Sequence, residues 1–153
     1  MRAERLRLAA LNATATVRVI FDRLPVAAGR VIRRHPYRPG TAPEVLRLHA
    51  AFALGVAARC SRMLGPTPLD AELASLRTEL DRLGPGTAAA RAAAGELALR
   101  AAAALMTREG SRSLLVAEHG QRLAREAMFI LVYALRPASR TALLARLGAP
   151  EPG

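Results

Sequence analysis

The chain has 153 residues and a formal net charge of +11, and all of its basic residues other than three histidines are arginine. This length fits one domain with a modest core, while scattered arginines argue against a nucleic-acid surface. The single cysteine, Cys60, excludes an intramolecular disulfide, and no apolar run approaches the ~18 residues of a membrane span. We therefore expect a cytoplasmic protein that binds neither nucleic acid nor membrane.

The first part of the chain, residues 1–32, carries a strand pattern. Residues 13–21 read ATATVRVIF, with β-branched side chains at many positions, as is typical of a strand. Residues 24–32, LPVAAGRVI, favour a second short extended segment, with Pro25 near its start. Because two strands do not make a stable sheet alone, we predict that this part is the end of a β domain. Residues 33–43, rich in Pro and Gly, are predicted to be a linker.

The region from residue 44 to 149 has helical periodicity, followed by a tail over 150–153. Helix-breaking Gly and Pro residues divide the region into five predicted helices, at about 44–64, 68–83, 87–107, 121–135 and 137–148. The fold class that follows is mainly α: an antiparallel four-helix-type bundle of about five helices, preceded by a short β segment.

Apolar spacing predicts how these helices pack. The second helix carries leucines at the 4-3-4-3 spacing of a packing seam, at positions 69, 73, 76, 80 and 83. The first helix places Leu48, Phe52, Val56 and Met63 near one face. Alanines in the third helix allow another helix to approach closely.

Candidate sites are few when each is read from the residues alone. His35, His49 and His119 lack metal-ligand spacing to one another or to Cys60, so we expect no metal site. Gly110-Ser-Arg-Ser is compatible with an anion at a helix start, but a helix C-terminus followed by a loop explains the same residues. To this point the residues predict a mostly helical domain and no chemistry.

Three segments together resemble the acyl-CoA dehydrogenase family. FDRLPVAAGRVI, residues 21–32, resembles the "F-D-x-[VL]-x-V-P-A-x-R-V" segment that closes the middle β domain of that family. Leu54-Gly55-Val56-Ala57 is similar to "x-G-[hydrophobic]-A" in the first helix of its C-terminal domain. RLAREAMFILVYALR, residues 122–136, resembles "[RK]-L-x-R-D-A-…-Y-E-G-T", and Gly110 has the spacing of the Gly-Gly loop ahead of that motif.

The resemblance implies a fold and an activity. Family members have a helical domain, a middle β domain and a C-terminal four-helix bundle, through which they usually form tetramers. They bind FAD between domains and oxidise acyl-CoA or acyl-carrier thioesters at the α,β bond. A glutamate removes the α-proton as general base. By this resemblance Gly110 and Ser111 are the candidate cofactor-binding residues.

The chain departs from the family at the positions that carry the chemistry. Ala134 stands where the family has its catalytic glutamate, so this segment supplies no base. Some members carry the base on the first bundle helix, where Val45 aligns and Glu44 is one residue away; Glu44 is therefore our candidate catalytic residue. The "R-x-x-F-G" flavin contact is missing, and we expect FAD not to be retained by this chain alone.

Several alternatives remain open at this stage. The chain is either a fragment of a longer protein or a degenerate free-standing form, in neither case active alone. A non-catalytic helical subunit that assembles with a complete dehydrogenase is a second possibility, and a helical ligand-binding or regulatory domain is a third. We expect a homo- or hetero-oligomer formed through the helical bundle.

Overall fold

The computed structural model describes residues 1–8, 14–34 and 42–150. The chain divides into two compact units, Met1–Pro39 and Gly40–Gly153. The described residues are mainly helical, with five α-helices after a short two-stranded antiparallel sheet, which confirms the predicted fold class. His35, most of the predicted linker and the last three residues of the tail lie outside the described residues.

The first unit contains the sheet. Strand β1, Arg2–Arg5, pairs antiparallel with β2, Val17–Ile20, so that Arg2 lies opposite Ile20. Every residue of β2 is exposed, so this short hairpin buries neither face among the described residues. A two-stranded hairpin of this length is marginally stable on its own.

The second predicted extended segment is wrong in position. β2 lies inside the predicted stretch 13–21, but its partner β1 precedes it in the chain instead of following at 24–32. Ala28–Arg30 forms a 3-10 turn, closed by a hydrogen bond from the Arg30 N–H to the Ala27 carbonyl at 2.9 Å. Small residues here permit the tight local bond, which takes the N–H that a strand ladder would use.

The second unit is the helical bundle. Its helices are α1 (Pro43–Leu64), α2 (Leu69–Asp81), α3 (Thr87–Glu109), α4 (His119–Val132) and α5 (Pro137–Arg146), with a 3-10 segment, Gly110–Leu114, after α3. The breakers predicted from sequence end these helices. In particular, Gly65 follows α1 with a positive φ of 78°, and a proline lies at the first turn of α5. Among the described residues no helix is both long and apolar enough to cross a membrane.

Polar contacts define the helix directions. Arg47 near the start of α1 pairs with Asp81 at the end of α2, with Nη2 2.5 Å from Oδ1, so these helices are antiparallel. Arg108 near the end of α3 donates to the Leu64 carbonyl at the end of α1, so α1 and α3 run in the same direction. Helix α3 contacts each of the other four helices and is the centre of the bundle.

The core is built largely from small side chains. α1 and α3 make the most extensive contact, and alanine is the most frequent buried residue in both. In α1 the buried residues are Leu46, Ala50, Ala53, Leu54, Val56, Ala57, Ala58, Cys60 and Ser61. Alanine faces let two helix backbones approach closely. The predicted apolar face of α1 is therefore split: Val56 is buried, but Leu48 and Phe52 are 59% and 49% exposed. The leucine seam of α2 is confirmed at Leu73, Leu76 and Leu80, which are buried. Leu69 is partly buried against the core, and Leu83 lies beyond the end of the helix.

Candidate functional site

Glu44 lies on a groove of about 660 Å³ between α1 and α2. Apolar residues form one part of its lining: Leu48, Ala51, Leu54, Gly55 and Leu80. Charged residues form the rest: Glu44, Arg47, Arg77 and Asp81. Glu44 is in the first turn of α1, where a carboxylate also favours the helix dipole. An apolar surface beside both signs of charge suits a ligand with an acyl chain and a polar end.

Arg47 and Asp81, two of the four charged residues of this groove, form a salt bridge with each other. Arg47 donates to Asp81 Oδ1 from both Nη2, at 2.5 Å, and Nε, at 3.1 Å. Among the described residues neither Glu44 nor Arg77 has an ion-pair or hydrogen-bond partner through its side chain. These two groups are therefore available to a ligand, one as a carboxylate and one as a cation.

Ala134 lies near the same end of the bundle as Glu44 but on another side of α1. It follows α4 in the left-handed backbone region, with φ at 49°, and the ring of the preceding Tyr133 lies 5.5 Å from that of His49. Residues 44 and 49 point about 140° apart around a helix, so His49 with Tyr133 occupies the α4 side of α1, and Glu44 the α2 side. The Glu44 carboxylate therefore does not lie where the carboxylate of a glutamate at position 134 would lie.

Gly110 and Ser111 follow the C-terminus of α3, at the end of the bundle opposite to Glu44. Gly110 ends that helix with φ at 62°, its N–H bonds back to the Met106 carbonyl, and its own carbonyl accepts a hydrogen bond from Ser113 Oγ at 2.7 Å. Between Arg91, which contacts the end of α4, and Gly110 the helix rises roughly 28 Å. The structure does not bring Gly110 and Ser111 to Glu44 within one chain.

Arg91 is a buried arginine that the sequence analysis did not identify. Its side chain is 1% exposed, and Nη2 donates to the Ile130 carbonyl at 2.7 Å and to the Tyr133 carbonyl at 3.4 Å. These are carbonyls at the C-terminus of α4, where a cation also favours the helix dipole. Burial lowers the pKa of Arg91, yet an arginine stays charged at neutral pH. The contacts define a structural role, because they fix the end of α4 against α3.

Two further titratable groups of the bundle, His49 and Cys60, have shifted pKa values. Burial first, then the charges of Arg91 and Arg136, lower the pKa of His49, so its imidazole is neutral at neutral pH. Burial raises the pKa of the Cys60 thiol to about 11, which removes its nucleophilic thiolate form. Within the described ranges, no group of His, Cys, Asp and Glu side chains is arranged to hold a metal ion.

Comparisons with known proteins give no relative: no family model, no curated protein and no solved structure matches this chain. The resemblance to acyl-CoA dehydrogenases, with Glu44, Gly110 and Ser111 as its candidate site residues, stays a prediction.

Proposed function

We propose that this chain is an acyl-CoA dehydrogenase-like helical bundle that binds an acyl thioester in the α1/α2 groove and is not active alone. The parental activity is flavin-dependent α,β-oxidation of acyl-CoA. The observation that carries the binding proposal is the groove itself, in which Leu48, Leu54 and Leu80 lie beside the unpaired Glu44 and Arg77. The proposal includes a cytoplasmic location, with which the single free cysteine, Cys60, is compatible.

The proposal separates binding from oxidation. Gly110 and Ser111 do not fit a flavin site within one chain, because they end a helix far from the groove and the Gly110 carbonyl is already bonded by Ser113. FAD binding and turnover are therefore proposed only for a larger assembly. In such an assembly Glu44 is the groove carboxylate free to remove a proton, since Asp81 is held by Arg47.

A thioester without a nucleotide tests the groove directly. We expect octanoyl-N-acetylcysteamine to bind at least about 10-fold more tightly than the acetyl compound, because each buried methylene contributes about 0.8 kcal/mol. Leu48→Asp should weaken the octanoyl compound by at least about 10-fold, since it puts a charge on the apolar lining. Isothermal titration calorimetry measures both effects.

Two variants serve as controls for this experiment. Val132→Asp changes an exposed apolar residue of α4 outside the groove and should bind like the wild type. The Glu44→Gln variant should also keep its affinity for the octanoyl compound. In any assembled form that oxidises acyl thioesters, Glu44→Gln should slow turnover by ~10²- to 10⁴-fold, the usual effect of losing a general base. Equal affinity for the acetyl and octanoyl compounds would reject the acyl groove.

The exposed apolar face of α1 favours a second candidate function, a non-catalytic helical subunit that assembles with a complete dehydrogenase. Val45, Leu48 and Phe52 are all exposed on the same helix, and exposed apolar side chains that are grouped mark association surfaces.

Light scattering behind size exclusion tests this candidate. At micromolar concentration the wild-type chain should be larger than a monomer, and Leu48→Asp should reduce its mass, while Val132→Asp should leave the mass unchanged. A monomeric wild type would contradict the expected self-association, and the assembling-subunit candidate would lose that support. An association that Leu48→Asp abolishes, in a protein that binds no octanoyl thioester, would favour this candidate over the acyl groove.

A further inference from the structure

A second groove, of about 380 Å³, lies between α1 and α4. It is next to the α1/α2 groove, with which it shares the lining residues Ala51 and Gly55. Three arginines line it: Arg59 and Arg62 from α1, and Arg122 from α4. Glu126 is the one carboxylate among the lining residues that the structure describes. Arg122 is far in sequence from Arg59 and Arg62, so its proximity to them is a product of the fold.

Pairing inside this groove leaves two positive charges unsatisfied. Arg122 Nη1 lies 2.7 Å from Glu126 Oε1, one turn along α4. Arg59 and Arg62, three residues apart and so on neighbouring positions of one helix face, have no carboxylate partner in the described part of the chain. The groove therefore has a local excess of two guanidinium groups, and guanidinium is the side-chain group best suited to bind phosphate oxygens in pairs.

The apolar part of this groove is open and contains one aromatic ring. Ala51 and Gly55 line it with minimal side chains, and a Cβ placed on Gly55 would meet no atom within 4 Å. Phe52 also lines the groove, with its ring edge-on to Tyr133 at 6.1 Å between centroids, and half of its surface is exposed. An exposed aromatic ring beside arginines is the arrangement on which a nucleobase stacks.

We infer that the α1/α4 groove binds a nucleoside diphosphate, with the diphosphate on Arg59 and Arg62 and the base against Phe52. The two unpaired guanidinium groups are opposite in sign to the diphosphate and can bind its oxygens, and the volume lies in the range of small-molecule sites. This site goes beyond the proposed acyl groove, whose charged residues Glu44 and Arg77 lie on the α2 side of α1.

Calorimetry with three probes at 150 mM salt tests the site. We expect ADP to bind more tightly than pyrophosphate, and adenosine to bind most weakly. Arg59→Ala/Arg62→Ala should weaken ADP by at least about 10-fold, because two charge-assisted contacts are lost. Phe52→Ala should weaken ADP by about 5-fold or more and leave pyrophosphate unchanged, since stacking contributes about 1–3 kcal/mol per base.

The matched control separates a site from general attraction to a basic protein. Arg125→Ala/Arg140→Ala removes the same charge from exposed positions outside the groove and should change ADP affinity by less than about 2-fold. An equal loss in both double variants, no ADP binding, or adenosine binding as tightly as ADP would each overturn the assignment. Octanoyl-N-acetylcysteamine carries no nucleotide, so failure here does not decide the acyl groove, and the converse also holds.

Discussion

The Arg91→Ala variant is expected to lose about 3 kcal/mol of unfolding free energy. Two costs add: a cavity where the buried side chain stood, and carbonyls at the end of α4 left without a donor. The wild-type guanidinium reaches the carbonyls of Ile130 and Tyr133, and no alanine side chain can do so. Urea unfolding followed by circular dichroism measures the difference.

Two further variants identify the cause of that loss. Arg91→Met refills most of the volume but leaves the carbonyls unpaired, so it should lose roughly half as much as Arg91→Ala. Arg125→Ala removes an exposed arginine of α4 and should stay within about 0.5 kcal/mol of the wild type. If Arg91→Ala also stayed within that limit, the bonds from Arg91 to α4 would contribute nothing measurable.

Enlarging the alanine face of α3 is expected to be as damaging as removing Arg91. Ala101 is fully buried in the core, and α3 contacts all four other helices, so a larger side chain has no free direction. Ala101→Leu should cost about 2–3 kcal/mol, because overpacking forces side chains out of their rotamers and shifts helices. The thermal midpoint should fall by several degrees, as scanning calorimetry would record.

Ala103→Leu provides the matched control on the same helix. Ala103 is exposed, and leucine is nearly as good a helix former as alanine. This variant should therefore unfold within about 0.5 kcal/mol of the wild type. Equal stability of the two leucine variants would mean that the core around Ala101 relaxes at no cost.

Helix positions could be predicted from the sequence because local chemistry decides them. Gly65, Gly110 and Pro137 each mark a boundary through backbone preferences that do not depend on the rest of the fold. The buried face of α1 could not be predicted in this way. Alanine is the most frequent residue on that face, and the large residues Leu48 and Phe52, which dominate the apolar pattern, lie outside the core.

The candidate sites could be predicted from the sequence less well than the helix positions, because they depend on tertiary structure. Arg91 sits in the alanine-rich segment AAARAAAG, where an arginine ordinarily reads as a solvated residue; the small neighbours on both sides were the one local signal of its burial. Arg59 and Arg122 lie on different helices, and only packing of α1 against α4 brings them to one groove. Glu44 was found through the family resemblance, and the structure adds its place on the α1/α2 groove.

The alanine contact between α1 and α3 has a consequence for how stability varies with temperature. Alanine loses no rotamer freedom on burial, so these helices associate with little side-chain entropy cost. The same small side chains also bury little apolar area, and buried apolar area sets the heat-capacity change of unfolding. The stability curve of this bundle should therefore be flatter than that of a leucine-filled bundle of equal length, with a lower maximum and a slower decline toward both cold and heat.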